Sequence, residues 1–230
     1  MTSNAQILSD LKIIRQENQP LELLTTYKGV PFVCKAWIEN LEGDVARLKV
    51  DDPAILCLDY GNQTRVLGSD YFEPAVARLG KMDLANSIIE LTDFTYIGTK
   101  LGERMIVRVE PGERIQVLVI NEDLETGAEL ADISMSGIGV RMQEKAHHLA
   151  LRPGAAVVLD FQLPEVHIQT SGTVLSLLKS ENTIRLSIRF AQDFQQRASV
   201  FHYLIDRRAE IERELREIYS ATRQTILPAS

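Results

Sequence analysis

Positive charge is in short supply in this sequence. Its 230 residues carry 25 Lys and Arg against 32 Asp and Glu, a net charge of -7. A binder of long nucleic acid polymers needs a basic face that releases counterions from the phosphates, so the balance argues against that class. A small nucleotide needs only a local basic cluster. Long apolar runs are missing too: none approaches the roughly 20 residues that span a bilayer, and residues 1–20 lack the basic start and apolar core of a signal peptide. The expectation is a cytoplasmic protein with no membrane partner. Of only two cysteines, Cys34 and Cys57, each sits in an apolar strand-like run, which in a reduced compartment reads as two buried thiols rather than a disulfide.

Chemical motifs are absent as well. His147 and His148 are adjacent, so a regular helix or strand cannot turn both toward one ion, and no Cys or carboxylate stands near them at ligand spacing. The sequence contains no nucleophile elbow and no phosphate loop ending in Gly-Lys-Ser or Gly-Lys-Thr. Gly137-Ile138-Gly139 leads into a strand rather than the helix that a dinucleotide fingerprint needs. Catalytic residues, a metal site and a cofactor are therefore not expected.

What is present is β structure. The hydrophobic fraction of 45% is that of an ordinary soluble protein, and the length suits two small domains, each with a core. A short helix is predicted over 4–17, with Ile7, Leu11 and Ile14 on one face. Short apolar or alternating runs then predict strands over 21–27, 32–38, 45–50, 55–60 and 87–96, while 72–82 shows no clear pattern. Two glycines bracket a short polar segment at 96–102, the predicted linker. Beyond it, strands are predicted over 115–120, 128–133, 139–142, 156–162, 167–178 and 183–190, six in number and suited to a small antiparallel barrel.

The last helix is predicted over 193–224, free of Gly and Pro. Phe194, Ala198, Phe201 and Ile205 make one stripe, expected to pack on the barrel. Leu204, Ile211, Leu215 and Ile218 make a second, running past it. Two readings of this second stripe stand, a solvated capping helix or a seam through which two chains form a homodimer. The domain organisation expected is a β domain over 1–97, a second over 98–192, and the helix and tail over 193–230.

Two clusters in the second domain carry the chemistry. Gly102-Glu103-Arg104-Met105-Ile106-Val107-Arg108 offers two guanidinium groups, which match phosphate oxygens and the acceptor edge of guanine with paired hydrogen bonds. One strand later, Asp132-Ile133-Ser134-Met135-Ser136-Gly137 offers a carboxylate, a hydroxyl and a turn glycine. Asp132 can accept from guanine N–H groups or orient an arginine, Ser134 can bond a phosphate, and Gly137 permits a backbone conformation closed to other residues. A second Arg-x-x-x-Arg, at Arg185 and Arg189, alternates with Ile184, Leu186, Ile188 and Phe190 and reads as the wet face of a strand. Arg185 therefore serves as an internal control.

The order of a linker, an arginine pair, a strand and then Asp-x-Ser-x-x-Gly resembles the PilZ domain, the family of bacterial receptors for cyclic diguanylate. The resemblance implies a six-stranded barrel in which Arg104, Arg108, Asp132, Ser134 and Gly137 contact the nucleotide as a ligand rather than a cofactor. An amino-terminal β domain ahead of it, itself a divergent PilZ-like barrel without a ligand site, is the arrangement of flagellar-brake-type members. That architecture implies a nucleotide at the domain junction, reorientation on binding, and signalling to an effector of the flagellar motor, pilus or polysaccharide machinery, with motility or biofilm formation as the output. Glu103 places a carboxylate where many relatives carry a basic or apolar residue, and implies one nucleotide per chain rather than a stacked pair. The alternative is a non-enzymatic interaction scaffold of the same fold that binds no nucleotide.

Overall fold

The computed structural model describes residues 4–61, 63–68, 72–97, 107–122, 124–143, 151–180 and 182–226. Arg104, most of the predicted linker and the two adjacent histidines, His147 and His148, lie outside them. The chain is mainly β and divides into two compact units, Met1–Met105 with Ile211–Ser230, and Ile106–Glu210. Each contains a six-stranded closed antiparallel barrel, and the two barrels follow one another along the chain.

The first unit opens with helix α1 (Asn4–Gln16). Its Ile7, Leu11 and Ile14 are buried in the barrel core, as their spacing requires of an amphipathic helix. Strands β1 (Leu21–Tyr27), β2 (Val30–Glu42), β3 (Val45–Lys49), β4 (Gln63–Leu67), β5 (Ala75–Asp83) and β6 (Ile88–Tyr96) close in the order β1-β2-β3-β6-β5-β4, with β4 returning to β1. Two of these strands, β4 and β5, are missing from the sequence reading. In β5 the inward positions are filled by the small residues Ala75 and Ala77, and two register shifts break the alternation that pattern reading depends on.

The predicted strand over 55–60 is instead part of a 3-10 helix, Pro53–Gly61. Asp52 starts it: its Oδ1 accepts from the Ala54 N–H at 2.7 Å and its carbonyl from the Ile55 N–H at 3.0 Å, with Pro53 at the first helical position, where a missing N–H costs nothing. Ala54, Ile55, Cys57 and Leu58 are buried, a repeat near three rather than two.

The second unit holds β7 (Arg108–Val109), β8 (Gln116–Asn121), β9 (Leu124–Ser134), β10 (Gly137–Gln143), β11 (Ala156–Leu163), β12 (Val166–Ser180) and β13 (Thr183–Phe190). The ring runs β10-β13-β12-β11-β8-β9 and closes through β9 and β10. The long β9 changes partners along its length. Residues 124–129 pair with β8, after which β10 takes one edge and the two-residue β7 the other, with Arg108 opposite Ser134 and Val109 opposite Ile133. Val117, Val119, Leu130, Leu159, Leu186 and Ile188 fill the interior.

Helix α2 (Arg197–Ile226) corrects the stripes expected of it. Phe194 is buried as expected, but Ala198, Phe201 and Ile205 are exposed. The buried positions are Val200, Leu204, Arg207, Ile211 and Leu215. Leu204, Ile211 and Leu215 are thus covered within the chain, and of the stripe suggested as a dimer seam only Ile218 is exposed. In the second unit, Arg207 is 4% exposed; its Nε donates to the Glu110 carbonyl at 2.9 Å and its Nη1 to the Glu210 carboxylate at 2.9 Å. In the first unit, Glu214 pairs with Lys28, and Arg223 with Asp51 at 3.1 Å. Among the described residues no helix is long and apolar enough to cross a membrane.

Both cysteines are free and buried, and burial pushes each thiol up to about 12. At pH 8 neither forms appreciable thiolate, the reactive species. A thiol-specific chromogenic reagent is expected to label neither cysteine in the native protein and both after denaturation; fast labelling of the native protein would contradict this packing.

Candidate functional site

The turn between β9 and β10 is two residues long, Met135-Ser136, and brings the second cluster together as the sequence predicts. Asp132 and Ser134 end β9, and Gly137 begins β10. The carboxylate of Asp132 is only 4% exposed, and a charge so placed requires partners. Arg108 Nη1 donates to its Oδ1 at 3.1 Å, and Arg185 Nη2 donates to its Oδ2. Asp132 thus orients arginines, one of the two roles its chemistry allows.

Arg185 is a correction. The alternation of β13 does put it on the exposed face, as expected, but there it meets Asp132 and is no inert control. It also stands directly opposite Arg141 of β10, and like charges facing each other across a strand pair repel. Asp132 relieves one of them. Glu129, opposite Arg141 on the other side, is engaged by Arg114 at 2.8 Å. Around β10, Arg108, Arg141, Arg185 and Arg189 therefore gather near one buried carboxylate, Asp132, which Arg108 and Arg185 share, a local basic cluster on an acidic chain.

The two glycines of β10 are required by close approach. Gly137 is not among the glycines with positive φ, which are Gly29, Gly43 and Gly154, so the unusual backbone expected of it is not what selects it. A Cβ there would stand 2.1 Å from the Ile188 carbonyl oxygen. At Gly139 a Cβ would lie 2.5 Å from Asp132 Oδ2, so the carboxylate occupies the space that a side chain would take.

Ser134 is fully buried. Its hydroxyl donates to the Gly137 carbonyl at 3.0 Å and accepts from the Ser136 N–H at 3.3 Å, which ties the turn. The half-buried Ser136 hydroxyl lies 3.3 Å from it. The segment following β7 is held from α2: besides the Arg207 bond to Glu110, the Gly112 backbone hydrogen-bonds Tyr203, whose hydroxyl burial pushes above its ordinary value. Among the described residues no group of three or more His, Cys, Asp and Glu could hold a metal ion.

The family model described as "PilZ domain" matches residues 103–206, a span that contains the arginine segment, the Asp-x-Ser-x-x-Gly turn and the whole second barrel. Residues 103–206 are a PilZ domain. A protein of Aquifex aeolicus, described only as uncharacterized, is 28% identical over 193 residues, 80% of this chain and 91% of its own. Among solved structures, the complex of MrkH from K. pneumonia with c-di-GMP is 15% identical, with 93% of this chain and 98% of that one covered at a TM-score of 0.48. YcgR from Escherichia coli in complex with c-di-GMP is 15% identical, with 96% of both chains covered at 0.39. The Bacillus subtilis inhibitor of motility MotI is 16% identical, with 84% and 97% covered at 0.44. The assignment of the PilZ domain rests on the family model and the motifs within it.

Removing Arg185 would leave one oxygen of a buried carboxylate unpaired. Arg185→Ala is expected to lower unfolding free energy by about 1–3 kcal/mol, and Gly139→Ala to do the same by displacing Asp132. Urea unfolding of both variants checks this; wild-type midpoints would show that Asp132 does not need its second partner.

Proposed function

We propose that the protein is a cytoplasmic, non-enzymatic receptor for cyclic diguanylate. Its ligand is held by Arg104 and Arg108 on one side and by the turn that carries Asp132, Ser134 and Gly137 on the other. The observation that carries this reading is the pairing of Arg108 with Asp132 inside a PilZ domain: the two sequence motifs meet in space, 24 residues apart in the chain. The electrostatics agree with it. Asp132 compensates only one positive charge, so a phosphodiester arriving at the cluster finds uncompensated guanidinium groups in a site partly shielded from water, where charge-assisted hydrogen bonds are strongest. Two phosphates also relieve the repulsion between Arg141 and Arg185.

Ser134 acts through the turn in this reading: its hydroxyl fixes Ser136 and Gly137, which present backbone to the ligand. One nucleotide binds per chain. Binding changes the relative orientation of the two barrel units, and the altered surface is what an effector protein of a motility, pilus or polysaccharide system reads.

Calorimetric titration with cyclic diguanylate tests the reading. Arg104→Ala, Arg108→Ala and Asp132→Ala are each expected to weaken binding roughly ten- to a hundred-fold, the loss of one charge-assisted contact. Equal affinity in the wild type and the Arg104→Ala, Arg108→Ala double variant would remove it. Complete absence of binding would leave the scaffold alternative, and accumulation of linear dinucleotide would make the protein an enzyme. For the reorientation, X-ray scattering profiles with and without nucleotide are expected to differ; superimposable curves would confine signalling to the ligand's own exposed face.

A further inference from the structure

The buried stripe of α2 is aliphatic at Val200, Leu204, Ile211 and Leu215, and in its middle stands Arg207, 4% exposed. An aliphatic side chain would fill that place without the desolvation that a buried guanidinium suffers, so packing alone does not account for an arginine. Its bonds do. Nε donates to the Glu110 carbonyl at 2.9 Å and Nη1 to the Glu210 carboxylate at 2.9 Å. The guanidinium also lies close against the chain, since a Cβ at Gly112 would stand 3.2 Å from Cζ and from Nη1. Tyr203, one turn earlier on the same face of the helix, meets the Gly112 backbone with its hydroxyl.

The segment so gripped is the one that aims Arg108. Strand β7 has two residues and pairs only Arg108 with Ser134 and Val109 with Ile133, and a strand of that length has little stability of its own. Residues 110–114 form neither helix nor strand, and Pro111 has no N–H to contribute. Fixed points behind β7 are therefore supplied by α2, at Glu110 and Gly112. From Arg108 to Glu110 the chain can extend at most about 7 Å, so the anchor acts at short range. The contact it serves is narrow: Arg108 Nη1 lies 3.1 Å from Asp132 Oδ1, and a drift of about 0.5 Å would take that pair out of hydrogen-bond range.

We propose that Arg207 is a positioning residue for nucleotide recognition: by holding the Glu110 carbonyl it sets β7 against the end of β9, so that Arg108 stands at Asp132 before the ligand arrives. The proposal rests on the receptor reading. Arg207 touches no ligand in this role and acts through Arg108. The cost of ordering the arginine is met in folding rather than in binding, and the apparent affinity is not lowered by chains in which Arg108 is misplaced. Tyr203 assists from the same face of α2.

The test is calorimetric titration of the full chain with cyclic diguanylate. Arg207→Met, which fills similar space without a donor, is expected to lose roughly ten-fold in affinity. Arg207→Lys, which keeps a cationic donor and loses the planar fork, is expected to lose less. A merely structural role would not depend on Arg108, so the deciding readout is a double-mutant cycle. In the Arg108→Ala background, Arg207→Met is expected to weaken binding no further, because the residue it positions is gone. Circular dichroism establishes that each variant is folded at the titration temperature. Tyr203→Phe, which removes only the hydroxyl, carries the same cycle if both Arg207 variants fail to fold, with an expected loss of about three-fold. Wild-type affinity in folded Arg207→Met overturns the proposal and leaves the receptor intact, and so does an undiminished loss in the Arg108→Ala background. No binding by the wild type removes the receptor reading itself, and the proposal with it.

Discussion

The carboxylate of Asp132 has almost no access to water, so its charge must be met by protein groups, and this need organises the second barrel. Two guanidinium groups reach it from strands that are distant in sequence, Arg108 from β7 and Arg185 from β13. For Arg108 to arrive, β9 has to outrun β8 and offer its free edge to β7. For Arg185 to arrive, β10 must carry no side chain opposite Asp132, hence Gly139. A buried ion pair adds little net stability, because desolvation offsets most of the attraction, but an unmatched buried charge is costly. The arrangement therefore specifies where Arg108 stands more than it stabilises the fold.

Most of the second barrel was legible in the sequence because large aliphatic residues occupy its inward positions and alternate cleanly with polar ones, as in 183–190. The first barrel was half legible. Ala75 and Ala77 point inward without a strong hydrophobic signal, and the apolar run over 55–60 looks like a strand although Asp52-Pro53 starts a 3-10 helix there. In α2 apolar spacing points to the wrong face, because the buried stripe contains an arginine, Arg207, while Phe201 and Ile205 stay exposed.

At the site, local chemistry pointed correctly to Arg108, Asp132, Ser134 and Gly137 as neighbours of one turn. What local chemistry lacks is register. Alternation tells that Arg185 lies on the outer face of β13, but only the pairing of β13 with β10, and of β10 with β9, tells that Asp132 waits there. At Gly137 strand crowding against Ile188, rather than a left-handed backbone, excludes every larger residue.

Arg207 bears on how the protein can be cut. Its guanidinium holds the carbonyl of Glu110, two positions past Arg108, while Tyr203 meets the backbone at Gly112. Ending a fragment where the last barrel strand ends, near residue 192, would strip away both supports, and a desolvated carbonyl without its donor has reason to rearrange. A truncated barrel that failed to take up nucleotide would then report the loss of a strut behind the arginine segment, and would say nothing about whether the first barrel contributes to recognition. Excision through Glu210 keeps the strut and makes that comparison interpretable.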